Sequence, residues 1–180
     1  MSRSSWSIIA PALLLALYGT RAHADESSSF YIGAAYSSVT IDDVDGEPAI
    51  ATAIVGFPLM ENISIEGRLG TGVKSVFDRE FNGLFMVTGE LKIDNYYGAF
   101  VRANLPAGES LNLYLLGGYG TANVTIDTNI GSFSNSESSG AYGVGAEVVF
   151  GASKSHHLGV EWARYFKDAN ALSAIYRFKF

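Results

Sequence analysis

The chain has 180 residues, with 12 basic against 18 acidic side chains, a formal charge of −6 and no cysteine. So acidic a balance argues against a nucleic-acid partner, which needs a basic footprint, and the lack of cysteine excludes a disulfide framework. Twenty glycines, 11 phenylalanines and 10 tyrosines point to many short strands and not to a helical protein.

Residues 1–24 read as a cleaved secretory leader. Arg3 supplies the positive start, Ile8 to Tyr18 an apolar run broken by Pro11, and Ala22-His23-Ala24 a small-residue cleavage site before Asp25. The apolar run is well short of the roughly 20 residues that a spanning helix needs. Residues 25–180 then form one domain. Loss of Arg3 and Arg21 lowers the basic count from 12 to 10 against 18 acids, a formal charge of −8.

The mature chain divides into eight strands by period-two alternation. The first runs from Phe30 to about Thr40, with Phe30, Ile32, Ala34 and Tyr36 opposite Tyr31, Gly33, Ala35 and Ser37. An acidic connection follows, Asp42-Asp43-Val44-Asp45-Gly46-Glu47-Pro48. The second strand spans about Ile50 to Phe57, and Pro58 is expected to end it. The third starts at Ile63 and sets Ile65, Gly67 and Leu69 against Glu66, Arg68 and Gly70. The connection from Phe77 to Thr88 has room for its own hairpin at Asn82-Gly83.

The fourth strand, about Leu91 to Leu105, puts Leu91, Ile93, Tyr97, Ala99, Val101, Ala103 and Leu105 on one face and Tyr96, Phe100 and Arg102 on the other. The fifth, about Leu111 to Thr125, sets Leu111, Leu113 and Leu115 against Asn112 and Tyr114. A Ser/Asn/Gly-rich stretch from Asp127 to about Ser138 reads as a loop. The sixth strand ends at Phe150, with Tyr142, Val144 and Val148 opposite Glu147. The seventh, about His157 to Tyr165, sets Leu158, Val160 and Trp162 against Glu161 and Ala163. In the eighth, Tyr176, Phe178 and Phe180 share one face and Arg177 and Lys179 the other.

That last strand, ending on an aromatic with aromatics at alternate positions before it, resembles the final strand of Gram-negative outer-membrane β-barrels. The glycine-rich stretches Tyr114-Leu115-Leu116-Gly117-Gly118-Tyr119-Gly120 and Tyr142-Gly143-Val144-Gly145-Ala146-Glu147 are similar to strands of the small eight-stranded group: the OmpA transmembrane domain, the OmpX and Ail type, and the opacity type. The resemblance implies an all-β, eight-stranded antiparallel up-and-down transmembrane barrel in the outer membrane. Its partners would be membrane lipid and lipopolysaccharide, with Tyr176, Phe178 and Phe180 as the signal for the barrel-assembly machinery. The connections agree with this. The first, third and fifth are long and polar, and the second, fourth and sixth are tight, as expected when both termini lie on the same side.

The face opposite the apolar one collects Glu66, Arg68, Arg102, Glu147, Glu161, Arg177 and Lys179. Charges in a poorly solvated interior must be paired, and eight strands enclose a space only wide enough for side chains. These seven residues are therefore expected to form an ion-pair network that fills the lumen. A lipocalin-like soluble carrier would instead have an apolar interior.

Other candidate sites are weaker. The Asp42 to Glu47 connection clusters carboxylates around a glycine but lacks the spacing of an EF-hand loop, so a solvated acidic loop is the simpler reading. His156 and His157 are the mature chain's only histidines. They fall at a turn without the His-x-Ser-Asn signature that lipid A deacylases carry, so catalysis is not expected. Phe57, Tyr97, Phe150, Trp162 and Phe180 fit interfacial girdles. Nothing in the sequence calls for a metal or a cofactor. The expected role is a structural scaffold presenting outer connections to an unknown extracellular partner. The alternatives are a narrow channel for small solutes, a lipid-modifying enzyme and a soluble periplasmic binder.

Overall fold

The structure, a computed structural model, describes residues 30–180 apart from 43–45, 83–84 and 130, and describes no side chain within 77–88. The leader, three residues of the acidic connection (Asp43, Val44, Asp45) and Gly83 of the proposed hairpin lie outside the described residues. Among the described residues nine strands follow one another: β1 (Tyr31–Ile41), β2 (Ala49–Met60), β3 (Ile63–Lys74), β4 (Val76–Asn82), β5 (Phe85–Pro106), β6 (Leu111–Thr128), β7 (Gly131–Phe150), β8 (His156–Phe166) and β9 (Ala169–Lys179). Every pairing is antiparallel. Apart from β3 and β4, strands adjacent in sequence pair in space, β1 pairs with β9, and β3 pairs with β5 to shut the sheet. The result is a closed eight-stranded up-and-down barrel with β4 as an added strand. Closure removes the sheet edges that an open meander would expose.

β4 is the continuation of β3 beyond Ser75, where the ladder breaks. At the same level the β2–β3 register shifts between Ala49 and Ile50, and the β5–β6 register shifts between Ile93 and Asn95. Here the chain leaves the barrel wall. β4 pairs only with the start of β5, closing the hairpin expected near Asn82 with the pair Asn82↔Phe85. β5, β6 and β7 also run past the barrel. The supposed loop from Asp127 to Ser138 is instead mostly strand, the end of β6 and the start of β7 pairing from Thr121↔Ser138 to Thr128↔Gly131 in unbroken register. The shift after Ile93 also corrects the reading of the fourth predicted strand. An extra residue in a strand turns the side chains that follow to the other face, so Ile93 points inward with Tyr96 and Phe100 while Tyr97 and Val101 point out. Pro58 does not end β2 either. It pairs with Ser64, and the register shift between Pro58 and Met60 absorbs its missing N–H.

The outer surface is apolar. Val55, Ile65, Leu69, Val101, Leu113, Leu115, Val144, Leu158, Val160 and Leu172 are all exposed there. Aromatics flank this band. At the end where β1 begins and β9 finishes stand Phe30, Phe57, Phe150, Tyr176 and Phe180, and towards the other end Tyr36, Tyr97, Tyr119, Tyr142 and Trp162. On β7 the two girdles are eight residues apart, Phe150 to Tyr142. At roughly 3.3 Å per residue and a tilt of roughly 40°, that is about 20 Å of wall, close to the apolar band of a transmembrane barrel. Phe30 and Phe180 stack at 4.4 Å between centroids where the first and last strands meet.

A barrel closed in this way should stay in the membrane through salt and urea washes. Its unheated form should migrate differently from its boiled form on a denaturing gel. Release into the wash with no change in mobility would contradict a membrane-spanning barrel.

Candidate functional site

Alternation brings one charged or polar side chain per turn of the wall into the lumen, and six of the seven expected charges meet there. Glu66, Arg68, Arg102, Glu147, Glu161 and Arg177 are each no more than 3% exposed. Three carboxylates face three guanidinium groups, so the set is formally neutral. Arg68 forks onto Glu161, Nη1 to Oε1 at 2.6 Å and Nη2 to Oε2 at 2.8 Å. The same guanidinium donates from Nε and Nη2 to Glu66 Oε2 at 3.0 and 2.7 Å. Arg102 Nη2 reaches Glu147 Oε1 at 2.5 Å, and Arg177 Nη1 reaches Glu147 Oε2 at 3.0 Å. Arg177 Nη2 lies 3.1 Å from Glu66 Oε1, which joins the groups into one cluster. Lys179 is not part of it. As the last residue of β9 it lies at the rim, exposed, because the strand has by then left the enclosed section.

Neutral donors complete the carboxylates. Tyr31 Oη donates to Glu66 Oε1 at 2.9 Å, Tyr114 Oη to Glu161 Oε2 at 2.9 Å, and Asn112 Nδ2 to Glu147 Oε1 at 2.9 Å. The Tyr114 ring lies 4.0 Å from the guanidinium carbon of Arg102 and 5.1 Å from that of Arg177, which adds cation–π attraction. The two tyrosines need glycine across the ladder. A Cβ at Gly145 would sit 2.2 Å from Tyr114 Cζ, and one at Gly56 would sit 2.0 Å from Tyr31 Cζ. Sequence reasoning singled out the charges and missed these partners. Their signal was parity, since Asn112 and Tyr114 share a face and Tyr31 opposes Phe30.

The two histidines part company. His156 faces outward in the aromatic girdle, stacked on Phe150 at 5.4 Å with Nδ1 2.8 Å from Tyr176 Oη. His157 turns inward, half-buried, with Nδ1 3.0 Å from Glu147 Oε1. It is a member of the lumen cluster, a place that the reading from its turn did not assign.

The interior is layered. At the end where β1 begins and β9 finishes, a cleft of about 210 Å³ is lined by Tyr31, Ser64, Arg102, Asn112, Glu147 and His157 among others. The ion pairs come next. Beyond them lies an apolar layer absent from the sequence expectation: Val39, Ile50, Ile93 and Ala171 pack together, and beside them Tyr96, Phe100, Leu116, Ala122 and Ala141. Tyr165 touches both apolar groups, and its Oη accepts a hydrogen bond from Arg68 Nη1 at 2.9 Å. Ile54 and Ile175 fill the wall side of the cluster with Tyr31 and Ala35.

This arrangement of an apolar skin, a neutral ionic lumen and a closed sheet has counterparts. The family model described as "Outer membrane protein beta-barrel domain" matches residues 10–173. The chain belongs to the outer-membrane β-barrel family. Among solved structures, this barrel is similar to Ail, the attachment invasion locus protein of Yersinia pestis, with 20% identity, TM-score 0.53, and coverage of 85% of this chain and 97% of that one. It is also similar to the N-terminal barrel domain of Pseudomonas aeruginosa OprF (13% identity, TM-score 0.60, 85% and 98% covered) and to Neisserial surface protein A (13%, 0.54, 84% and 96%). At these identities the likeness is one of fold. No curated protein sequence matches the chain. Barrels of this kind have short periplasmic turns and longer extracellular connections, and here the tight turns lie at one end and the extended β4–β7 section at the other.

Breaking the cluster on one side should cost far more than replacing it. Glu161→Ala leaves Arg68 buried with half its partners gone and is expected to lower stability by about 3–5 kcal/mol, whereas Arg68→Met with Glu161→Leu should recover most of that loss. Urea unfolding followed by gel mobility reads both. Gly145→Ala should displace Tyr114 and destabilise the barrel by about 1–3 kcal/mol, and the same titration measures it.

Proposed function

We propose that the protein is a surface-interaction scaffold: a rigid, non-enzymatic barrel, closed to solute flow, that holds an outward-facing extension beyond the membrane. The observation that carries this reading is the doubled seal across the lumen. A neutral ion cluster lies beneath an apolar layer in which Val39, Ile50, Ile93 and Ala171 are each no more than 7% exposed. A water-filled path would have to separate paired charges and also wet an apolar constriction, and each is costly on its own. Loops and extensions on a rigid scaffold are where binding usually resides.

The remaining expectations belong to the same proposal. The leader is cleaved after Ala24, following Ala22, and the mature domain begins at Asp25. Tyr176, Phe178 and Phe180 serve as the assembly signal, and lipid and lipopolysaccharide surround the wall. The charges Glu66, Arg68, Arg102, Glu147, Glu161 and Arg177 act as a structural filling, with Lys179 at the rim. The Yersinia pestis Ail structure has been solved with the heparin analogue sucrose octasulfate. We do not carry that ligand over, because the outward section of this barrel (residues 76–82, 85–95 and 121–141) holds Asp78, Glu80, Glu90, Asp94, Asp127 and Glu137 against Arg79 and Lys92, and a polysulfate needs cations.

The second reading is a narrow channel. It is favoured by the periplasmic cleft, which brings solvent space to Arg102 and Glu147. Planar-bilayer recording separates the two. Under the scaffold reading, reconstituted protein gives no regular unitary steps. Uniform steps from the unaltered protein would select the channel.

A further inference from the structure

Every carboxylate oxygen of the lumen cluster faces a donor, but not every guanidinium N–H faces an acceptor. Glu147 shows the first half. Its Oε1 accepts from Arg102 Nη2 and Asn112 Nδ2 and lies 3.0 Å from His157 Nδ1, and its Oε2 accepts from Arg177 Nη1. Arg102 shows the second. Beyond its bond to Glu147, its Nη1 reaches Glu66 Oε1 only at 3.5 Å, and its Nε has no acceptor among the described residues. The Nε of Arg177 has none either, while its Nη2 lies 3.1 Å from Glu66. Both side chains are no more than 4% exposed. A buried donor left without a partner is costly and calls for an explanation.

These two arginines line the cleft at the end where β1 begins and β9 finishes. Its other polar groups also favour an acceptor. Asn104 Oδ1 is already taken by Asn112 Nδ2 at 3.2 Å, which leaves the Asn104 amide to donate. Lys179 stands exposed at the rim. The lining sets three cations, Arg102, Arg177 and Lys179, against Glu61 and the engaged Glu147. Pro58, Met60, Ile63 and Pro106 add an apolar wall. The space of about 210 Å³ is far above the roughly 10–15 Å³ that one water needs.

We infer that this cleft binds a small carboxylate that carries a short apolar body. The carboxylate takes N–H groups of Arg102, with Asn104 and Lys179 beside it, and the apolar body lies along the wall of prolines, Met60 and Ile63. Arg102 can serve it because one close bond, to Glu147, anchors its guanidinium, which sits 4.0 Å over the Tyr114 ring. Turning about that anchor keeps the ring contact and brings the Nε edge towards the cleft. Inorganic phosphate would meet the donors and leave the apolar wall unused. A neutral apolar molecule would leave the donors unmet. The inference goes beyond the scaffold reading and does not depend on it, because a ligand held in the cleft needs no path through the lumen.

The test titrates the full mature chain in zwitterionic detergent micelles with hexanoate. Calorimetry against empty micelles reads affinity, and heteronuclear NMR with through-bond assignment follows the arginine Nε–H signals. Hexanoate should bind saturably, half-saturating at about 1 mM, a range open to a ligand of about eight non-hydrogen atoms. It should also shift the Arg102 Nε–H signal. Hexanamide, of the same size without the charge, should bind about tenfold more weakly, and so should phosphate at equal ionic strength. Lys179→Gln should weaken hexanoate about threefold and Lys179→Glu about tenfold, with the gel-mobility shift kept in both. No saturable binding, or an unmoved Arg102 signal, overturns the inference. Equal binding by hexanamide does so too, since it would assign the heat to apolar partition. Phosphate binding as tight as hexanoate would make the cleft a site for anions at large and overturn the class of ligand. Unaltered affinity in both Lys179 variants would place the ligand elsewhere. Unitary conductance would displace the scaffold reading and leave a bound carboxylate standing, whereas silent bilayers without hexanoate binding would keep the scaffold and remove the site.

Discussion

The fork between Arg68 and Glu161 is the interaction on which the interior depends. It spans the lumen from β3 to β8, two strands that do not pair. An eight-stranded wall with lipid outside must turn its polar face inward, where there is little water to solvate charge. Equal numbers of acids and guanidinium groups solve this if each carboxylate meets more than one donor. Glu66 meets all three arginines and Tyr31, while Glu147 meets two arginines, Asn112 and His157. Arginine suits the task because its planar fork can serve two carboxylates at once.

The apolar layer above the ions has a different cause. Towards the outer end the barrel receives side chains from strands that are about to leave the wall, and the two register shifts near Ala49 and Ile93 rotate them. Ile93 swings inward to meet Ile50 and Val39. The same irregularities release β4 and the upper parts of β5, β6 and β7 into the outward extension. One local disruption thus caps the lumen and launches the exposed sheet, which joins interior packing to surface presentation.

Much of the barrel was legible because the membrane enforces a strict alternation. Leu111, Leu113 and Leu115 against Asn112 and Tyr114, or Leu158, Val160 and Trp162 against Glu161, admit only one orientation, and the lumen charges followed from that parity. Legibility failed where the constraint lapses. From Asp127 to Ser138 neither face meets lipid, so serine, asparagine and glycine form a strand that composition reads as a loop. Ile93 was misplaced because a shift in register leaves no mark in the sequence. Lys179 has the right parity but lies past the enclosed section, and parity carries no depth. His157 was judged by its turn and not by its face, which pairs it with Glu147.

The meeting of Phe30 with Phe180 has a consequence for how the molecule comes into being. The pairs Tyr31↔Lys179 and Ile41↔Ala169 join the first and last strands of the described residues. This seam is the contact of greatest sequence separation, and a loop of that length makes its closure entropically the most demanding. Until β9 exists, β1 has an unsatisfied edge and the charged lumen has no far wall, since Arg177 arrives on the last strand. The wall therefore cannot mature strand by strand as the chain emerges. Closure of the wall waits for the last strand.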